Sequence, residues 1–308
     1  MTHRQANSLD QRDEGSLFDA DHPATGVPFP RRSTAIYGGW LALTAAHATL
    51  PLPLLALLGG WFVAWHGSLQ HETIHGHPTR WRWVNSLIGG VPLSLWLPYG
   101  AYRRTHEAHH RSPHPTHPAH DPESRYVAGG EVVAALARIR ATLIGQLLVG
   151  PVAAIALFLL NEARRLRRDP AATLREWGPH LIGVALVLGW LHHVALPLGT
   201  YALCFVLPGQ AASLLRGFAE HRADAPGPSR AATVVSRGPL ALLFLNNNLH
   251  AAHHAVPAAP WYRLPAIERA RTQRTEPRYA GYREIWRRFA LRPHDTVRHP
   301  ALREGAHG

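Results

Sequence analysis

Apolar residues in this chain gather in long blocks, separated by polar stretches that carry arginine. The first block runs from Ala35 to about Leu69, interrupted by Pro51 and Pro53. That pattern predicts a helical hairpin, residues 35–50 up and 52–70 down. The first leg is shorter than the roughly 20 residues a membrane span usually takes. Arg31 and Arg32 precede it, Arg80 and Arg82 follow the second leg, and the turn carries no positive charge. Both ends are therefore expected in the cytoplasm. Val84–Tyr99 is apolar but broken by Gly89, Gly90, Pro92 and Pro98, which predicts a membrane-surface or re-entrant segment.

Three later blocks cover Thr142–Leu160, His180–His193 and Leu198–Leu215. Taken as full spans, they would put the last histidine cluster across the membrane from the second. The simplest repair lays Thr142–Leu160 in the interface, kinked at Pro151, with Arg164, Arg165, Arg167 and Arg168 just beyond it. The last two blocks then form a second hairpin whose outer turn, Ala195–Thr200, again lacks arginine. The expected fold class is thus all-α: an integral membrane helical protein with two transmembrane hairpins (four spans) plus interfacial helices. The tail from Ala266 is basic and partly amphipathic, through Ile267, Tyr282, Ile285, Trp286 and Phe289.

Composition narrows the class further. Apolar residues make up 46% of the 308, the net charge is +12, and every basic residue is arginine. These arginines flank apolar blocks, which suits anionic lipid rather than nucleic acid. The lone Cys204, inside an apolar run, excludes an internal disulfide framework, a cysteine-rich zinc site and a built-in iron–sulfur cluster. Residues 1–30 are polar, with Asp10, Asp13, Glu14, Asp19 and Asp21, and have no apolar signal core.

The candidate chemistry lies in three histidine clusters. His71-Glu72-Thr73-Ile74-His75 reads HxxxH; His106-Glu107-Ala108-His109-His110 and His250-Ala251-Ala252-His253-His254 read HxxHH. Residues three and four apart share a helix face, so each cluster can aim two or three imidazoles at one point. Together they can surround more than one metal ion. Imidazole suits iron, copper, zinc and nickel, so ligand type alone does not choose the metal. His221, beside Glu220 and just past the last span, is a ninth candidate. Glu72, Glu107, Asp121, Glu220 and Asn246–Asn248 are candidates to accept hydrogen bonds from ligand rings. His114, His117 and His120 sit among Pro113, Pro115 and Pro118, which prevent a helix there, so a polar loop is expected. His77 is a weak candidate; His47, His66, His192 and His193 lack the cluster pattern.

These motifs, HETIHGH at His71–His77, THEAHH at Thr105–His110, RGFAEH at Arg216–His221 and NNNLHAAHH at Asn246–His254, resemble the membrane fatty acid desaturase superfamily. The resemblance covers roughly Ala35 to Pro300. It implies non-haem di-iron chemistry in a cytoplasmic cap, with O2 as co-substrate. It also implies that His71, His75, His106, His109, His110, His221, His250, His253 and His254 bind two irons. The expected organisation is a mobile cytoplasmic tail at 1–34, a desaturase domain at 35–300 and a C-terminal tail at 301–308. By the resemblance, the chain inserts a double bond into a fatty acyl or lipid chain. Alternatives are a lipid acyl-chain hydroxylase, then a carotenoid ketolase or hydroxylase.

Abstracting hydrogen from an unactivated CH2 needs an oxidant no side chain supplies, which agrees with a metal and O2 carrying that step. The substrate class is a lipid or acyl thioester. Two electrons per turnover must come from outside, because the chain shows no flavin or nicotinamide fingerprint and no cytochrome domain. A ferredoxin-like donor docking on the basic face is expected, with salt weakening the docking. Arg103, Arg104 and Arg111 flank the second cluster and are candidates for an anionic head group or for that donor. The expected location is a bacterial inner membrane, histidines on the cytoplasmic side.

Two rivals come from other classes. His71-Glu72-x-x-His75 also spells the zinc-protease motif, with Glu72 as general base, but that reading leaves most of the clustered histidines unexplained. A metal transporter would usually place ligands at the bilayer midplane, whereas here the clusters follow the spans.

Overall fold

A computed structural model of the chain describes residues 29–127, 130–226 and 229–304. The tails expected at 1–34 and 301–308 fall largely outside the described residues. Helix α1 is Phe29–Ala45 and α2 is Leu52–Ile74. The proline pair that ends the first leg also starts the second: Pro51 is the extended N-cap and Pro53 sits in the first turn, where no backbone N–H is needed. At its other end α2 runs further than expected, taking in His71, with His75 as C-cap. Gly76 follows at φ +93, a left-handed conformation that turns the chain sharply away.

Beyond α2 come α3 (Arg82–Gly90) and α4 (Tyr99–Arg111), joined by an irregular proline-bearing stretch. The expected surface segment is therefore helical in its first half. Helix α5 is Glu131–Arg140. The interfacial block is divided rather than kinked: α6 (Leu143–Leu148) stops at Val149 and α7 (Gly150–Arg168) begins, with Pro151 in its first turn. The arginine run forms the last turns of α7, where positive charge opposes the helix dipole. Helix α8, Pro170–His193, carries Pro179 inside it without stopping. Helix α9 spans Leu198–Gly217 and passes through one π turn at Ala202–Val206.

Among the described residues two helices, α2 and α9, are long and apolar enough to cross a membrane. The other two expected spans do not meet that test. Helix α1 has 17 residues and includes Arg31 and Arg32. Helix α8 starts earlier than its apolar block and brings in Arg175 and Glu176. The two long helices touch closely. A Cβ on Gly59 would lie 2.5 Å from the Cys204 carbonyl oxygen, and one on Gly60 would lie 2.6 Å from Pro208 Cβ. Small residues permit this approach, which is how helices associate where lipid removes the hydrophobic drive. Trp40, Leu55, Val63, Leu93, Val187 and Phe205 fill the core around them. Buried Tyr201 ties three elements, accepting from Trp40 Nε1 at 3.0 Å and donating to the Leu93 carbonyl at 2.6 Å.

A second core lies under the polar end. Short helices α10 (Pro239–Leu243), α11 (His250–Ala255), α12 (Leu264–Ala270) and α13 (Tyr282–Phe289) gather there. A parallel pair, β1 (Thr233–Val234) and β2 (Arg278–Tyr279), links them with Thr233 opposite Arg278; the sequence reading had no strand here. Phe218, Val234, Phe244, Tyr279, Ile285 and Phe289 form its centre. Helix α4 is clamped to α7 and α8 by Arg104, which reaches Glu162 and Glu176 at 3.0 Å each. Arg165 completes the clamp at 2.6 Å from Glu176.

Candidate metal centre

The nine candidate histidines come from four places. His71 and His75 end α2; His106, His109 and His110 share the inner face of α4. His221 follows α9 and is held by a bridge to Ala231. His250, His253 and His254 lie on α11, which the fold delivers through the β1 connection. All nine meet in two adjoining groups. One holds His71, His75, His106, His110 and His253; the other holds His109, His221, His250 and His254. In each, the ligand-capable atoms lie within 4.8 Å of one another.

The ring nitrogens face each other at close range. Nε2 atoms are 2.9 Å apart for His75 and His106, 3.1 Å for His106 and His110, and 3.1 Å for His110 and His253. In the second group they are 2.8 Å apart for His221 and His250, 3.1 Å for His250 and His254, and 3.3 Å for His109 and His254. Lone pairs aimed at each other repel. Metal–nitrogen bonds of about 2.1 Å put neighbouring ligand atoms about 3 Å apart, so the spacing fits cations placed among the rings. Among the described residues buried His71 Nδ1 has no hydrogen-bond partner, and its Nε2 stands 3.4 Å from Asn247 Nδ2.

The opposite nitrogens are anchored. His109 Nδ1 donates to buried Asp121 at 2.9 Å, and His106 Nδ1 to Glu123 at 3.2 Å. His221 Nδ1 donates to the Ser229 carbonyl at 3.1 Å, and His250 Nδ1 to Asn247 Oδ1 at 3.2 Å. These bonds fix the tautomer and aim Nε2 inward. Of the candidates for this role, Asp121 and Asn247 take it, and Glu220 stands 3.6 Å from His250 Nδ1. Glu107 does not; it turns outward to Arg82 and Arg111. Asn246 and Asn248 bond backbone carbonyls of Trp261 and Val234. Glu72 accepts from the Trp261 backbone N–H at 3.0 Å, so it braces α2 against the cap. Sequence reasoning missed Glu123. The signal was present, since Asp121-x-Glu123 follows the second cluster in one turn, where both carboxylates return to α4.

Electrostatics keep most of the rings in the form that binds metal; His109 is an exception, since burial would lower it but the Asp121 hydrogen bond and nearby carboxylates outweigh that and raise it. His75 is pushed down to about 2, and His110 and His221 to about 3, first by burial and then by neighbouring imidazoles. His250, His253 and His254 are lowered strongly for the same reasons. Neutral imidazole carries the lone pair a cation needs. Burial alone would raise Glu123, but the charge and hydrogen bond of His106 outweigh it and hold the carboxylate at about 2.

The remaining candidates lie elsewhere. His77 bonds the Ala258 carbonyl at 3.0 Å. His114 and His117 each pack a tilted ring against His120 in a turn-rich loop, and none of the three joins either group. His66 contacts the Tyr37 hydroxyl within the helix core, while His192 and His193 end α8.

One cavity reaches the cluster and a second adjoins it. The first, of about 380 Å³, touches His106, His221 and His250. The second, of about 200 Å³, lies between α2 and α9, against Val63, His66, Gln210 and Phe244. Leu214 and Arg216 line both. Arg216 Nε stands 2.9 Å from Glu220 Oε1.

Fold and site together define a helical protein that can hold metal in two imidazole groups. The family model described as Fatty acid desaturase matches residues 47–286, most of the chain and all nine of these histidines. The protein belongs to that family, one of oxidoreductases that includes desaturases and related hydroxylases. Comparison with curated proteins found no match.

Proposed function

We propose that the protein is a membrane-bound, O2-dependent fatty acyl or lipid desaturase with two non-haem irons. The observation carrying this reading is the pair of adjoining imidazole groups in a chain of this family. His71, His75, His106, His110 and His253 would hold one ion, and His109, His221, His250 and His254 the other. The irons, when bound, supply the capacity to reduce O2 with electrons from a C–C segment and from an outside donor. The reaction balances as R–CH2–CH2–R′ + O2 + 2e⁻ + 2H⁺ → R–CH=CH–R′ + 2H2O.

The chain's own residues do the rest. Asp121 and Glu123 hold the imidazoles in one tautomer. The burial of His71, His106, His109, His250 and His253 keeps bulk water away. The paired cavities give a chain entering between α2 and α9 a route towards His106, past Leu214 and Arg216. A zinc-protease role fits less well, because Glu72 is committed to Trp261 and three further histidines, where that reading needs one more ligand, join His71 and His75.

In this reading α1 and α8 complete four spans, α1 with α2 and α8 with α9, and the histidines face the cytoplasm. An external ferredoxin-like donor docks on the arginine-rich face, with a rate that falls as salt rises. The test is expression in a host with and without His109→Ala, followed by mass spectrometry of acyl chains. Products two mass units lighter, in the wild type only, support desaturation. Products about sixteen units heavier make the protein a hydroxylase, which shares the hydrogen abstraction. No change in lipid would overturn both.

A further inference from the structure

A groove of about 490 Å³ lies between α3, α4 and α8, away from the histidine cluster. Ser86, Tyr99, Arg103, Arg175, Pro179 and His180 form much of its wall. Its charge is unbalanced. Arg103 donates to Ser86 Oγ at 3.3 Å and lies beside the Tyr99 ring, and Arg175 Nε donates to the Ala171 carbonyl at 3.3 Å. Neither guanidinium meets a carboxylate among the described residues. Neighbouring arginines do: Arg82 and Arg111 share Glu107, and Arg104 and Arg165 share Glu162 and Glu176. Glu176 also borders the groove, but those two arginines already occupy its oxygens.

His180 adds a second, independent feature. It is 4% exposed and its Nε2 donates to the Leu95 carbonyl at 3.0 Å. That tautomer leaves Nδ1 as a buried acceptor with no partner. Beside the groove, on the face of α3 that carries Ser86 and Gly90, Trp83 and Leu87 are each 66% exposed, an apolar margin beside a cationic floor. Its depth follows from packing. Gly89 is close against Thr73 and Tyr99, so the groove lies level with the last turn of α2. That is where a spanning helix reaches the lipid phosphates.

We propose that this groove seats the head group of an anionic membrane phospholipid. The phosphodiester lies on Arg103 and Arg175, a head-group hydroxyl donates to His180 Nδ1, and the acyl chains lie along Trp83 and Leu87. Guanidinium is well suited to phosphate oxygens, and the apolar margin argues for lipid rather than free phosphate. The inference rests on the reading of α2 as a membrane span, but not on the reaction.

The test uses the full chain, delipidated in non-ionic detergent. It is titrated with dioleoylphosphatidylglycerol, dioleoylphosphatidylcholine or inorganic phosphate, and the thermal unfolding midpoint is read. Phosphatidylglycerol should raise the midpoint saturably, at roughly tenfold lower concentration than phosphatidylcholine, while inorganic phosphate has no effect. Arg103→Gln and Arg175→Gln should each weaken the phosphatidylglycerol response about tenfold, and Arg111→Gln should not. Metal content equal to wild type certifies that each variant is folded, and exposed Arg175 serves if the Arg103 variant is not. Equal protection by inorganic phosphate or by phosphatidylcholine, or wild-type response in the folded variants, overturns the proposal. No turnover is read, so failure of the lipid site and failure of the desaturase reading give different results.

Discussion

Asp121→Asn probes the link between the loop after α4 and one of the two imidazole groups. Asp121 is 3% exposed and accepts three partners: His109 Nδ1 at 2.9 Å, Thr116 N at 2.8 Å and Glu123 N at 2.9 Å. The two backbone donors approach different oxygens, Oδ2 and Oδ1. Asparagine keeps one oxygen and replaces the other with an NH2 group, so one backbone N–H must face another donor. Leaving that N–H unpaired costs about 1–3 kcal/mol. The ring of His109 also loses its charged partner. Loss of such a partner typically weakens metal binding 10–100-fold, or about 1.4–2.7 kcal/mol. His109 belongs to the group of His221, His250 and His254, so that group alone should suffer. The assay follows metal release into excess chelator, in two phases if the groups differ. The variant should speed one phase 10–100-fold and leave the other within about twofold of wild type. Glu107→Gln, on the surface with Arg82 and Arg111, should change neither. Unchanged release from folded Asp121→Asn would refute the reasoning, and so would equal acceleration of both phases.

Gly60→Ala should destabilise the chain by about 1–3 kcal/mol, because its Cβ would meet Pro208 Cβ at 2.6 Å and backbone C at 3.0 Å. Thermal unfolding in detergent checks it, and a neutral result would show that α2 and α9 can separate freely. Glu176→Gln should cost about 2–3 kcal/mol, since it leaves Arg104 and Arg165 to share Glu162 in a partly exposed network. An unchanged midpoint would show that this clamp is replaced by water. Metal-free protein should lose stability as pH falls from about 7 to 5. His75, His110 and His221 stay neutral in the fold, with values of about 2, 3 and 3, whereas the unfolded chain takes up protons below its ordinary value of 6.5. The unfolded state then binds more protons, so stability is present above 6.5 and lost as pH falls through that value. A midpoint that rises on acidification would contradict this.

The helical class, the first hairpin and the histidines that converge were legible because each rests on local spacing. HxxHH on one helix face needs no tertiary information, and Pro51 and Pro53 mark a turn wherever the chain goes. The limits of α8 were not legible. Its apolar block began at His180, but packing of the preceding turn through Glu176 and Arg165 extends the helix back across Pro179 to Pro170. The strand pair β1–β2 joins residues far apart in sequence, so no local pattern announces it. The partners of the rings were half legible. Asp121 and Glu107 stood equally among the candidates; Asp121 takes the role, Glu107 pairs with Arg82 and Arg111 instead, and Glu123 was overlooked. On α4, Glu107 lies next to His106 in sequence and so points elsewhere, while a loop carboxylate can return to the ring.

Metal quantification on the full chain, purified without added chelator, tests the central claim most directly. The account predicts about two irons per chain in the wild type. It predicts about one in a His221→Ala, His250→Ala double variant, whose losses fall within a single group. One zinc per chain, or two irons retained in the double variant, would contradict it.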